Sequence, residues 1–197
     1  MIAWIASIVF AYLLGSISSS FIAGKLSAGV DIRDHGSGNA GATNTLRVLG
    51  WKLGLVVLVA DIAKGVLAIA FAELVSGGSQ GAMAFAGLFA VVGHNWPIYF
   101  GFRGGKGVAT TIGVLGTFAF FPTLYAVLVA LVLLLFLRYV SLSSMVLVSL
   151  TPFLEIFWHT PAWFIVITFV IAIVVDLRHL PNIDRLRNHR EPKLFGH

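Results

Sequence analysis

The sequence predicts an all-α integral membrane protein of seven transmembrane helices, with the N-terminus outside and the C-terminus in the cytoplasm. Three observations carry this reading. Of the 197 residues 58% are hydrophobic and only 11% charged, with a mean hydropathy of +0.96. A soluble domain has about 25% charged residues, so this chain lacks the polar surface that water requires. Several apolar runs reach the roughly 20 residues that cross a bilayer. The seven-span division also collects every Lys and Arg except Lys64 on one side of the membrane.

Taken in order, Ile2 to Gly24, Leu53 to Val75 and Ala82 to Phe102 each have the length of a span. The first lacks the basic start and short apolar core of a secretory signal and is expected to be retained. The uncharged stretch from Gly107 to Leu137 is long for one crossing and short for two. The charges decide between these options. Two crossings, broken near Phe120-Phe121-Pro122 and followed by Leu142 to Phe157 and Ala162 to Val175, place Lys25, Arg33, Arg47, Lys52, Arg103, Lys106, Arg138 and the basic residues after Asp176 together. A single crossing would split them across the bilayer, against the positive-inside bias. The outer turns at Ser76 to Gly81, Pro122 and Thr160-Pro161 carry no Lys or Arg. One polytopic domain over 1–197 is expected, with cytoplasmic motif loops at 25–52, 101–107 and 176–197.

Other classes are excluded by the same residues. Without Cys there is no disulfide framework, thiolate metal site or thiol nucleophile. The formal charge of +5 fits basic loops on anionic lipid and not nucleic acid, because the aromatic residues lie inside apolar runs. Within the second span Asp61 and Lys64 are three apart and share a helix face; ionisable groups at membrane depth are functional candidates by default, and the pair is read first as a mutually neutralising packing device in the bundle. Glu73, Glu155 and His159 fall near outer helix ends, where water is close.

Three segments carry chemistry. Gly36-Ser37-Gly38-Asn39-Ala40-Gly41-Ala42-Thr43-Asn44-Thr45-Leu46-Arg47 combines sharp-turning glycines, whose successive N–H groups form an anion nest, with short donors and an Arg fork suited to phosphate. In the second, Gly93-His94-Asn95-Trp96-Pro97 leads to Gly101-Phe102-Arg103-Gly104-Gly105-Lys106-Gly107 and Thr110-Thr111. Pro97 should break the third span, and Lys106 should stand at a helix N-terminus, where free N–H groups and the helix dipole favour an anion. Gly107 follows Lys106 where a nucleotide P-loop has Ser or Thr, so ATP and GTP are not the expected ligands. His94, beside the helix break, is read mainly as a structural residue. The third segment, Asp176-Leu177-Arg178-His179-Leu180-Pro181-Asn182-Ile183-Asp184-Arg185-Leu186, adds a titratable group and an amide where the last span leaves the bilayer. Its His179 and Asp184 have a His-x4-Asp spacing, a signal that chance readily produces in a chain with six His.

Together, Gly36 to Arg47, Gly93 to Thr110 and Arg178 to Glu191 resemble the three cytoplasmic motifs of the bacterial acyl-phosphate-dependent glycerol-3-phosphate acyltransferases, the PlsY family. The resemblance extends to Gly15-Ser16, Val30-Asp31-Ile32-Arg33, Asp61 with Lys64-Gly65, and Arg138-Tyr139-Val140-Ser141-Leu142 with Ser143-Ser144. It implies an enzyme of the bacterial cytoplasmic (inner) membrane, working at the cytoplasmic face in the first acylation of phospholipid synthesis. That enzyme transfers a fatty acyl group from acyl phosphate to the 1-hydroxyl of sn-glycerol 3-phosphate, giving lysophosphatidate and inorganic phosphate. An upstream enzyme must then supply acyl phosphate. The resemblance carries roles onto His179, Arg47 and Asn182, and with Lys106, read from its place at a helix N-terminus, these are the expected catalytic residues. Ser37, Asn39, Gly41, Thr43, Asn44, Gly104, Gly105, Gly107 and Ser144 become substrate contacts, and Glu191 matches the closing Glu of the third motif. Two departures from the family pattern stand out: Ser18 where relatives commonly have Pro, and His189 in place of the Gly two residues before the closing Glu.

The residues agree with this implication, since two glycine-rich anion sites suit two phosphorylated substrates. The rival is a transporter of a small phosphorylated anion. Such a protein usually places its site at the bilayer midplane between inverted halves, whereas these motifs map to one face and no internal repeat is present. No cofactor is expected, and no metal: Asp31 and Asp34 are spaced for one face of a turn, but Arg33 stands between them and no further carboxylates join them.

Overall fold

The structure, a computed structural model, describes residues 1–194; the last three positions of the expected 176–197 segment lie outside the described residues. Among the described residues there is no β-strand. The chain divides into two compact units, Met1–Thr117 and Phe118–His197.

The first unit begins with α1 (Ile2–Gly15) and α2 (Ser19–Ala28). The expected continuous span is therefore broken at residues 16–18 and runs on to Ala28. At the break Ser18 Oγ accepts from the Phe21 N–H at 3.4 Å, so Ser18 caps α2. A short 3-10 turn, Ile32–Asp34, leads to α3 (Ala42–Leu49), α4 (Trp51–Ser76) and α5 (Gln80–Asn95). The expected third span thus ends at Asn95, where Pro97 cannot continue a helix. After a second 3-10 turn, Ile98–Phe100, the chain enters α6 (Val108–Phe118).

Small residues let these helices approach closely, as packing between apolar helices in lipid requires. A core of Ala11, Ala68, Ala72, Ala86 and Ala90 joins α1, α4 and α5. A Cβ added at Gly15 would lie 2.2 Å from the Ala90 carbonyl oxygen, and one at Gly113 2.1 Å from that of Ile62. These helices touch backbone to backbone.

The second unit holds α7 (Phe120–Leu137), α8 (Val140–Phe157), α9 (Ala162–Leu177) and α10 (Leu180–Arg187). The expected interruption of the long apolar stretch falls at Ala119, outside the helices on either side. Pro122 explains the place: it has no N–H to offer the Phe118 carbonyl, and its ring would clash there. It is accommodated instead in the first turn of α7. Polar pairs tie α8 to α9. Ser149 donates to Asp176 at 2.7 Å, and Thr168 donates to Glu155 at 3.0 Å. Glu155 is fully buried and not in the watery setting expected for a helix end, because α9 packs over that face of α8.

Among the described residues four helical stretches are long and apolar enough to cross a membrane: Ile2–Ala28, Trp51–Ser76, Phe120–Leu137 and Val140–Phe157. A fifth is added if α9 and α10, bent by 58°, are taken as one broken span.

Candidate active site

In the first unit the loop before α3 is built around Asn44. Its Oδ1 accepts from the Ser37 N–H at 2.8 Å, while its Nδ2 donates to the carbonyls of Ile32 and His35, each at 3.0 Å. Both amide protons are thus spent on the loop, and this buried side chain acts as the loop's scaffold. Gly36 is required here twice over. Its φ is +61°, and a Cβ would fall 2.3 Å from Asn44 Oδ1. Around that anchor Ser37 and Arg47 are exposed, Asn39 and Thr43 are half-buried and Gly41 is buried. Arg33 ties the same loop to the next motif, donating from Nη1 to the Phe100 carbonyl at 2.7 Å. Its Nη2 also pairs with Asp31 at 2.7 Å. Hydrogen bonds from the Arg33 side chain hold the Asp31 carboxyl down to about 2, so this carboxylate is committed to a neighbour within the loop.

The second glycine loop folds back on the end of α5. The Gly105 N–H donates to the His94 carbonyl at 3.0 Å. A Cβ at Gly105 would sit 2.1 Å from His94 Nε2 and 2.6 Å from the Ala40 carbonyl oxygen. The bare glycine therefore lets the second loop, His94 and the first loop meet at one point. Gly104 and Gly107 are buried and Lys106 half-buried. Lys106 stands two residues before Val108, the first residue of α6. The buried Asn95 side chain lies under Gly107, its Oδ1 2.8 Å from where a Cβ would be.

In the second unit the third motif forms its own cluster. His179 and Asn182 are buried where α9 gives way to α10. His179 Nδ1 lies 2.9 Å from the Val175 carbonyl; a carbonyl only accepts, so Nδ1 carries the proton and the lone pair of the neutral ring is on Nε2. Asp184 accepts from the Asn188 amide at 3.2 Å. Glu191 collects three donors: Ser141 Oγ at 2.6 Å, Asn182 Nδ2 at 2.7 Å and Arg185 Nε at 2.8 Å. Ser144 is half-buried near the start of α8.

Residues 5–189 match the family model described as glycerol-3-phosphate acyltransferase. The chain belongs to the glycerol-3-phosphate acyltransferase family. Among its relatives, the glycerol-3-phosphate acyltransferase of Shouchella clausii (strain KSM-K16) is 48% identical over 199 residues, covering 98% of this chain and 97% of its own. That of Bacillus subtilis (strain 168) is 47% identical over 189 residues, covering 95% of each. The fold is similar to the crystal structure of PlsY, an integral membrane glycerol 3-phosphate acyltransferase, in its glycerol 3-phosphate form. There the TM-score is 0.92 at 39% identity, with 98% of this chain and 96% of that chain covered. The lysophosphatidic acid form of that protein gives a TM-score of 0.90 at the same identity. The likeness read from the three motifs is thus a family relationship over almost the whole chain, and the chain is an acyltransferase.

Against that family background, the arrangement least visible in the sequence is the junction of His94 with Asp61 and Lys64. The two charged residues were legible as a pair, and Lys64 Nζ does meet Asp61 Oδ1 at 3.0 Å. His94 joins them from another helix, with Nδ1 2.8 Å from Lys64 Nζ. The one available signal was its position directly before the Pro97 break.

Proposed function

We propose that this chain transfers a fatty acyl group from acyl phosphate to the 1-hydroxyl of sn-glycerol 3-phosphate, releasing lysophosphatidate and inorganic phosphate. The observation that carries the reading is its close likeness to an acyltransferase solved in a glycerol 3-phosphate form and a lysophosphatidic acid form. The chemistry of the loops supports it. Two phosphorylated substrates need two anion sites, and the first unit has two glycine loops, one carrying Arg47 and the other Lys106. In this reading the protein crosses the bacterial inner membrane seven times, and the motif loops at 25–52, 101–107 and 176–197 face the cytoplasm. The acyl tail stays in lipid while the head groups meet at the rim. An upstream enzyme supplies acyl phosphate.

Arg47, Ser37, Asn39, Gly41 and Thr43 hold one phosphate, with Asn44 keeping their loop in shape. Lys106, the N–H groups of Gly104, Gly105 and Gly107, and the N-terminus of α6 hold the other. Ser144 makes a further substrate contact. His179 and Asn182 orient glycerol 3-phosphate. With its proton on Nδ1, the neutral His179 ring offers Nε2 as an acceptor that orients glycerol 3-phosphate without taking the proton of the attacking hydroxyl. The hydroxyl oxygen attacks the acyl carbon, the bond from that carbon to the phosphate oxygen breaks, and the departing phosphate takes the hydroxyl proton. Acyl phosphate is already activated, so positioning and preorganised donors provide the catalysis. The chain has no Cys, and its Gly77-Gly78-Ser79-Gln80-Gly81 run joins two helices with Ser79 capping α5, unlike the strand-to-helix turn of a nucleophile elbow; both favour direct transfer.

Purified protein in detergent, given acyl phosphate and glycerol 3-phosphate, should form lysophosphatidate; a transporter has no product to make there. Labelled acyl phosphate without glycerol 3-phosphate should leave the denatured protein unlabelled. No lysophosphatidate would overturn the activity, and stoichiometric label on a Ser or Thr would overturn direct transfer.

A further inference from the structure

A buried cluster of three titratable side chains lies beneath the second glycine loop. Asp61, Lys64 and His94 are 1%, 5% and 7% exposed. An ammonium has three N–H donors and no lone pair. Lys64 Nζ has three acceptors within reach: the Ile17 carbonyl at 3.1 Å, Asp61 Oδ1 at 3.0 Å and His94 Nδ1 at 2.8 Å. The Ile17 carbonyl is available because the helix breaks there, its ordinary donor, the Phe21 N–H, being taken by Ser18 Oγ. Asp61 Oδ1 also accepts from Ser19 Oγ at 2.9 Å. His94 Nδ1 lies 3.7 Å from Asp61 Oδ1, too far for a hydrogen bond, so Lys64 is the partner of Nδ1.

A nitrogen that accepts from an ammonium holds its lone pair, and the proton of a neutral imidazole is then on the other nitrogen. The charges of Asp61 and Lys64 cancel, and His94 Nε2–H becomes a donor of fixed direction. Nε2 lies beside the place where Gly105 lacks a Cβ and where the Ala40 carbonyl also converges. The Gly105 N–H in turn holds the His94 carbonyl.

We propose that Asp61 and Lys64 lock His94 in its neutral Nε2–H tautomer, and that His94 is a positioning residue setting the Gly104–Gly107 loop against Ala40 of the first loop. The cluster is a buried adjuster of loop geometry and touches no reacting atom. The kinetic part of the test rests on the function proposed above; the spectroscopic part does not.

Histidine-selective 15N spectra of the wild-type protein in detergent at neutral pH, assigned by difference from His94→Gln, should show His94 with a lone-pair Nδ1 and a protonated Nε2. A protonated Nδ1, or an imidazolium, overturns the proposal whatever the activity. In the kinetics, the Gln amide N–H can stand in for Nε2–H, whereas Asn places its amide nearer Nδ1. His94→Gln should therefore stay within ~3-fold of wild type in KM for glycerol 3-phosphate, and His94→Asn should raise that KM at least ~10-fold with a smaller change in kcat, the loss of one buried hydrogen bond. Equal KM values in wild type and both variants also overturn it. A wild-type protein that forms no lysophosphatidate sinks the proposed function and leaves the tautomer measurement standing.

Discussion

The side-chain amide of Asn182 donates to Glu191 Oε1 at 2.7 Å, which makes a residue of the proposed glycerol-phosphate site dependent on the segment that follows α10. Ser141 and Arg185 complete the same carboxylate's partners. Burial pushes the Glu191 carboxyl upward, but the hydrogen bonds from Ser141, Asn182 and Arg185 outweigh it and hold the group below its ordinary value of 4.5. A carboxylate depressed in the folded state stabilises fully above its unfolded value, and that contribution is lost as pH falls through the folded one. Glu191→Gln should lower stability by about 1–3 kcal/mol at pH 7. Thermal unfolding followed across pH should show the gap to wild type narrowing as pH falls below about 4.5 and closing once it passes the lowered folded value, where both carry a neutral side chain. A gap independent of pH would contradict the charge-assisted network.

Lys106 should clamp a phosphate ahead of α6. Lys106→Ala leaves that anion without its cation, and kcat/KM should fall at least ~10-fold while the protein stays folded, since hydrogen bonds to charged groups are worth more than neutral ones. Steady-state kinetics beside an unfolding curve checks both halves. Near-normal kinetics would remove Lys106 from the site.

Arg47 should resist replacement by Lys, because a two-pronged contact to phosphate needs the planar guanidinium. In Arg47→Lys the KM for one phosphorylated substrate should rise much more than for the other, and the substrate affected identifies the ligand of the first loop. If both constants keep their wild-type values, the bidentate contact does not exist.

His189 has a φ of +54°, a left-handed conformation that suits Gly, so the turn before Glu191 carries strain. A side chain in the left-handed region costs roughly 1–2 kcal/mol. His189→Gly should therefore be more stable than His189→Ala by about 1 kcal/mol, measured by chemical or thermal unfolding. An Ala variant equal to or more stable than the Gly variant would show that the turn relaxes. Glu191 still reaches its three partners beyond this strained residue, so the strain does not disturb the carboxylate's network.

Much of the molecule is legible without coordinates, because span lengths and charge placement are read directly along the chain. Apolar run length located the helical segments. Pro97 and Pro122 marked two breaks because a missing N–H acts on its own helix. The Asp61 and Lys64 pair followed from helical periodicity alone, and the three motifs held the residues that identify the family. The break at residues 16–18 was missed, since an apolar stretch containing Ser carries no strong interrupting signal. Asn44 could be recognised as polar in a glycine loop, but not as the side chain that spends its donors holding that loop.

What only the tertiary structure decided was which polar atoms meet once the helices pack. Lys64 finds His94 thirty residues further on, and Glu191 finds Ser141 fifty residues back. Spacing along a chain does not encode such distances. They arise because small residues such as Gly15, Gly93 and Gly113 let backbones close to contact, and because a polar group removed from water must take whatever partner the packing brings within reach.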